Sequence, residues 1–127
     1  MKPTPEDLQQ ALPPILSLIH KSEKALQKLA AETWQAAMLR ENLDALHLAR
    51  ALMIGETATA PATYQNALRS LASMIQKTRA AQPKFPAGSA QHTLLKNRLQ
   101  ALLIAEEMIR SMSKGGALPP GAQDKGS

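Results

Sequence analysis

ILSLIHKSEKALQKLAAETWQAAMLRE, residues 15–41, decides whether the first half of this chain is one long helix or a helical hairpin. It contains no glycine, proline or asparagine, so the usual turn residues are missing. The stretch AAET at 30–33 is a good helix former and a poor turn, which favours one continuous helix from Pro14 to Ile54. The alternative is a tight turn near 31–33, with Thr33 capping a second helix.

The amino-acid composition favours helices in the rest of the chain as well. Apolar residues make up 44% of the 127 residues, and there is one Trp, one Tyr, one Phe and no Cys. Most of the apolar residues are Ala, Leu, Ile and Met, which suit helices, whereas strands select β-branched and aromatic side chains. A chain of this length buries one core. We therefore expect an all-α fold, a small helical bundle, over residues 1–113 and a disordered, Gly- and Pro-rich tail over 114–127.

Capping residues and prolines predict where the first helix begins and where it is interrupted. Thr4 can cap it, and Pro5 suits its first position because the missing N–H is unpaired there anyway. Pro13 and Pro14 remove backbone donors and clash with the preceding turn. We therefore expect a kink near Leu12 and a new helix from that point.

The boundaries of the second half follow from the same signals. Gly55 suits the C-terminal end of a helix, and Pro61 suits the first turn of the next one, which should run to about Ala80. QPKFPAGS at 82–89 is a clear break. Ser89 can cap a last helix that continues to about Ser113.

A shift of 56 residues aligns the chain with itself in two separate blocks. QQALPPILSLIHK at 9–21 aligns with QNALRSLASMIQK at 65–77, and MLRENLDALHLARALM at 38–53 aligns with LLKNRLQALLIAEEMI at 94–109. An internal duplication would give two antiparallel helical hairpins with pseudo-twofold symmetry. Against it, any two Leu/Ala helices can be slid into agreement. The competing architecture, one long helix plus a hairpin, would leave half of the rod for a second chain to cover.

Two packing predictions follow from the helix faces. The apolar residues of the last helix cover well over half of its circumference, which is typical of a central helix and favours a homodimer for a chain of this size. In the repeat register Arg50 corresponds to Glu106, so pseudo-twofold packing could join them as a partly buried ion pair. The alternative is that both side chains face solvent.

The net charge of +5 is concentrated in the middle of the chain, because residues 57–105 carry six bases and no acid. A field of one sign attracts anionic partners. Five of the bases should gather at one end of a hairpin, beside the N-terminus of the last helix, and we expect Phe85 to plug that end of the bundle. This basic elbow, within 76–98, is an anion- or partner-binding site or only a solvated turn. Its residues are Lys77, Arg79, Lys84, Lys96 and Arg98.

Catalytic and metal signatures are missing from the sequence. There is no cysteine and there are three histidines, and neither a Gly-x-Ser-x-Gly motif nor a phosphate-binding glycine loop is present. Asp44 with His47, and His20 with Glu23, have helical ligand spacing, but a di-metal bundle needs a Glu from each of two helices and a Glu-x-x-His from each of the others. We expect no enzyme activity, no catalytic residues, no cofactor and no bound metal.

These features favour a non-enzymatic protein-interaction module that binds another protein through helix faces, as an adaptor, a chaperone-like protein or an inhibitory partner. The basic elbow would steer an acidic surface of that partner. The alternative is a nucleic-acid-associated regulator that uses the elbow against phosphates, although base-stacking aromatics are scarce. No secretory signal or membrane span is recognisable, so we expect a cytoplasmic protein with no membrane partner.

Overall fold

The computed structural model describes residues 3–56 and 61–114, and in these ranges it contains four α-helices and no strand. The all-α prediction is confirmed. The predicted linker at 57–60 and the predicted tail at 115–127 lie outside the described residues, and Lys114 belongs to the last helix. The helices are α1 Pro5–Gln27, α2 Trp34–Met53, α3 Pro61–Ala81 and α4 Ala90–Lys114, and a short 3-10 turn, Gln82–Lys84, follows α3.

The continuous helix from Pro14 to Ile54 is wrong, because the chain reverses at 28–33. Thr33 caps α2 as the alternative required: its hydroxyl accepts the N–H of Ala36 at 3.2 Å and donates to the carbonyl of Ala30 at 2.9 Å. The guanidinium of Arg40 donates to the carbonyl of Ala31 at 3.3 Å. Side-chain hydrogen bonds thus hold a turn that lacks glycine and proline.

The predicted kink near Leu12 is also wrong, because α1 runs through Pro13 and Pro14 as one helix. Each proline deprives one carbonyl, four residues earlier, of its usual helical donor. Pro13 is exposed, while Ala11 and Ile15 on the same helix are buried in the core. Core packing on one face therefore outweighs the loss of two helical hydrogen bonds on the other.

Most predicted boundaries agree with the structure. Thr4 forms a reciprocal capping box with Asp7, and Ser89 caps α4 by accepting the N–H of His92 at 3.1 Å. Gly55 ends α2 with φ of +86°. Its N–H bonds to the carbonyl of Leu52 at 3.2 Å and the next N–H reaches back to Ala51 at 2.8 Å, which is a Schellman motif.

The helices form an up-and-down bundle of two hairpins. α1 and α3 each pack against both α2 and α4, and α2 also contacts α4 across the diagonal. Within the described residues α1 and α3 do not touch. Because α4 meets all three other helices, its wide apolar surface is largely covered inside one chain. The homodimer stays a prediction, and this packing does not require it.

The core residues repeat the 56-residue register. Large side chains with less than 2% exposure come from all four helices, and burying each contributes about 1.5–3 kcal/mol. In α2 and α4 the equivalent pair Leu46 and Leu102 are both 0% exposed. The helices also begin in register, α1 and α3 at Pro5 and Pro61 and α2 and α4 one residue after Thr33 and Ser89. The two hairpins are therefore structural repeats.

Candidate functional site

The two short connections of the bundle, 28–33 and 82–89, lie at the same end of the molecule. Each joins antiparallel neighbours, and α2 and α3 are themselves antiparallel neighbours. A direct contact fixes this arrangement, because Nζ of Lys77 in the last turns of α3 lies 3.8 Å from Sδ of Met38 near the start of α2. We call the half of the bundle that carries both connections, residues 16–43 and 72–101, the basic end.

The basic end is strongly polarised in charge relative to the opposite half. It holds nine lysine and arginine side chains against three carboxylates, those of Glu23, Glu32 and Glu41. In the opposite half, the described side chains include six carboxylates against three arginines. Such a field steers acidic surfaces toward one end of the molecule. The basic side chains are Lys21, Lys24, Lys28, Arg40, Lys77, Arg79, Lys84, Lys96 and Arg98.

All five residues of the predicted elbow lie at this end, but they surround it rather than forming one cluster. Lys77 points toward α2, and Arg79 and Lys84 are exposed. Lys96 borders a groove beside Gln82 and Leu99, whereas Arg98 lines a different groove between α1 and α4. The elbow therefore supplies charge in several directions.

Four of the exposed large apolar side chains also lie at the basic end. Trp34, the first residue of α2, is 71% exposed, and Phe85, in the second connection, is 36% exposed. Phe85 does not belong to the core cluster, so the prediction that it plugs the end of the bundle is wrong. Leu16 and Leu94 are exposed on α1 and α4. Exposed aromatic and aliphatic groups among bases are typical of binding surfaces.

The groove between α1 and α4 has a volume of about 470 Å³. Pro14 and Leu94 form part of its apolar wall, and Asn97 and Arg98 add polar groups. Burial lowers the pKa of the Arg98 guanidinium. No carboxylate of the described residues lies within ion-pairing distance of this guanidinium.

The predicted pair of Arg50 and Glu106 is not formed. The carboxylate of Glu106 lies 3.5 Å from the guanidinium of Arg110, one turn further along α4. No ion pair links Arg50 with Glu106 in the described part of the chain. Glu106 therefore pairs with a residue one turn away on its own helix instead of with Arg50 on the other hairpin.

Among the described residues, no group of three His, Asp or Glu side chains could hold a metal ion. No helix among those residues is long and apolar enough to cross a membrane.

Sequence reasoning missed the contribution of the first hairpin to the basic end. Lys21, Lys24 and Lys28 lie at the same end as the elbow because the chain reverses at 28–33. The signal that could have found them was Thr33, whose helix-capping role also places Trp34 beside the connection.

Comparisons with models of known protein families, with curated proteins and with solved structures found no match for this chain. Function must therefore be inferred from its charges, exposed side chains and cavities.

Proposed function

We propose that this protein is a non-enzymatic interaction module that binds an acidic surface of another protein with its basic end. It would act as an adaptor, a chaperone-like protein or an inhibitory partner. The observation that carries the proposal is the position of Trp34, the single tryptophan, which is 71% exposed at the end of the bundle that holds nine basic side chains.

The chemistry of this end suits a protein interface. Tryptophan and arginine are enriched among the residues that dominate interface energetics, and exposed apolar groups supply affinity when they are covered. The surrounding lysines raise the rate of encounter with an acidic partner and select against basic ones. Trp34 and Phe85 would be the apolar anchors, and Lys28 and Lys84 would provide steering charge on the two connections.

The experiment is affinity capture with the full chain, followed by direct measurement of binding to each protein retained. Trp34→Ala should weaken binding to the true partner at least tenfold, which is about 1.4 kcal/mol. Ile54→Ala is the matched control, because Ile54 is also exposed, at 44%, but lies at the opposite end. The affinity of this control variant for the partner should equal that of the parent protein.

A second variant tests the charge. Lys28→Glu with Lys84→Glu reverses one lysine on each connection at equivalent repeat positions, and it should reduce the association rate more at low salt than at high salt. Equal losses in Trp34→Ala and Ile54→Ala would contradict the proposal. So would a partner whose binding is indifferent to both the tryptophan and the lysines.

A second candidate function, nucleic-acid binding, is favoured by one observation: two aromatic rings, Trp34 and Phe85, are exposed among bases. Bases of a single strand stack on such rings while lysines contact the phosphates. The two functions differ in their salt response. Affinity for a labelled single-stranded oligonucleotide should fall log-linearly with salt concentration, with a slope set by the number of phosphates contacted. A steep slope that the lysine variant reduces, with an affinity that Trp34→Ala lowers without changing the slope, would favour this function over the first.

A further inference from the structure

The α1/α4 groove has a counterpart of different character on the other side of the bundle. A cavity of about 190 Å³ lies between α2 and α3. A shift of 56 residues carries each of its lining residues onto a residue that lines the larger groove. The residues of the smaller cavity are Glu41, Asp44, Ala45, Asn66, Ala67 and Arg69.

The repeat thus allows the side chains of the two cavities to be compared at equivalent positions. Glu41 and Asp44 in the smaller cavity correspond to the neutral amides Asn97 and Gln100 in the larger one. Arg69, which shares its cavity with the two acids, corresponds to Pro13. The α1/α4 groove therefore carries neutral groups at the positions where its counterpart carries two acids and an arginine.

Arg98 adds a positive charge to the α1/α4 groove. Its repeat equivalent is the neutral Asn42, so the arginine is particular to the α1/α4 groove. It is half-buried and has no ion-pairing carboxylate among the described residues. An arginine that is partly removed from water pairs well with a carboxylate, because its planar fork can donate two parallel hydrogen bonds.

The one acid among the described residues that line the groove lies away from Arg98. Asp7 is in the first turn of α1, and antiparallel packing puts it beside Ile104, about 9 Å along α4 from Arg98 at 1.5 Å per residue. The carboxylate of Asp7 accepts the N–H of Thr4 at 2.9 Å. Arg98 is therefore the one positive group among the described lining residues, and it stands apart from the carboxylate of Asp7.

We propose that the α1/α4 groove binds a small amphiphilic monocarboxylate, with the anionic head at Arg98 and the apolar body along Pro14 and Leu94, on the side of Arg98 away from Asp7. The amide of Asn97 adds a hydrogen-bond donor beside the head. The volume of about 470 Å³ lies within the range of about 300–1,000 Å³ that is usual for small-molecule sites. This site does not depend on the proposed protein partner.

The test uses octanoate as the probe and 1-octanol as its neutral analogue, both titrated into the full chain and followed by amide NMR and calorimetry. Octanoate should shift amide signals of α1 and α4 along the groove, and it should bind about tenfold more tightly than octanol because only it can pair with Arg98. Shifts confined to other surfaces, or equal affinity for the two probes, would overturn the proposal.

Three variants locate the binding site. Arg98→Gln should weaken octanoate binding about tenfold without affecting octanol. Arg69→Gln makes the same charge change in the counterpart cavity and should leave octanoate binding intact. Lys28→Glu with Lys84→Glu should also leave it intact, which separates this site from the lysines of the two connections. Equal weakening by Arg69→Gln and Arg98→Gln would show a non-specific charge effect and sink the proposal. Thermal unfolding of each variant verifies that it is folded.

Discussion

Thr33 and Ser89 cap two helices in the same way at positions 56 residues apart. The hydroxyl of Thr33 accepts the N–H of Ala36 at 3.2 Å, and the hydroxyl of Ser89 accepts the N–H of His92 at 3.1 Å. Each cap satisfies a donor that the helix itself leaves unpaired. The correspondence extends the repeat from the apolar faces to the connections.

Removing either cap should destabilise the bundle. Thr33→Ala and Ser89→Ala are each expected to lower the free energy of unfolding by about 1 kcal/mol, measured by urea denaturation with circular dichroism. The loss at Thr33 should be the larger, because its hydroxyl also donates to the carbonyl of Ala30. Thr33→Ser retains the hydroxyl and is the control. If the serine variant is as unstable as the alanine variant, the methyl group rather than the cap is responsible.

The two repeats should also depend equally on their equivalent core leucines. Leu46 and Leu102 are both 0% exposed, so Leu46→Ala and Leu102→Ala should each cost about 2–5 kcal/mol of unfolding free energy. Leu16→Ala deletes the same atoms at a position that is 41% exposed, and its cost should be much smaller. Denaturation midpoints provide the comparison. A variant at Leu16 as unstable as those at the core positions would contradict the burial described for these side chains.

Replacing Pro13 should stabilise the protein. Pro13→Ala restores an N–H that can bond to the carbonyl of Gln9, and a helix-interior proline costs about 3 kcal/mol relative to alanine. Part of this gain is offset because alanine gives the unfolded chain more freedom, about 0.4–1 kcal/mol. We expect a net gain of about 2 kcal/mol in denaturation experiments.

Pro5→Ala is the matched control for this gain. Pro5 occupies the first position of α1, where no intrahelical hydrogen bond is lost, so its replacement should bring no increase in stability. If Pro13→Ala is no more stable than the parent protein, the proline is already accommodated without cost in α1.

Features that depend on local chemistry could be predicted from the sequence. The caps at Thr4 and Ser89, the glycine ending at Gly55 and the break at 82–89 each depend on residues within a few positions of one another. The 56-residue register predicted the hairpin repeat as one of two architectures. Each of these signals lies within a single turn or along a single helix face.

The remaining features depend on contacts between distant segments. The sequence at 28–33 has a high helix propensity, yet the chain turns there. Two hairpins close the core within one chain, and this packing outweighs the local preference for a longer helix. Continuation of α1 through Pro13 similarly depends on the burial of Ala11 and Ile15 by other helices. The basic end is predicted only for the second hairpin, because the favoured long helix leaves the lysines of α1 out of it and the reversal at 28–33 is the alternative.

The electrostatic potential at Trp34 provides a test of the charge assignment that needs no partner. As the single tryptophan, 71% exposed, it reports on its own surroundings through fluorescence quenching. A positive potential concentrates anions near the ring and excludes cations. At low ionic strength we expect iodide to quench at least about twofold more effectively than caesium, each normalised to its quenching of free tryptophan amide.

Two controls separate this charge effect from simple exposure of the ring. Addition of about 1 M potassium chloride shortens the screening length to about 3 Å and should remove the preference for iodide. Lys28→Glu with Lys84→Glu should reduce the preference at low salt, while quenching by neutral acrylamide stays constant because the ring remains exposed. Equal quenching by iodide and caesium in the parent protein would show that no positive field reaches Trp34, and binding of an acidic partner there would lose its electrostatic basis.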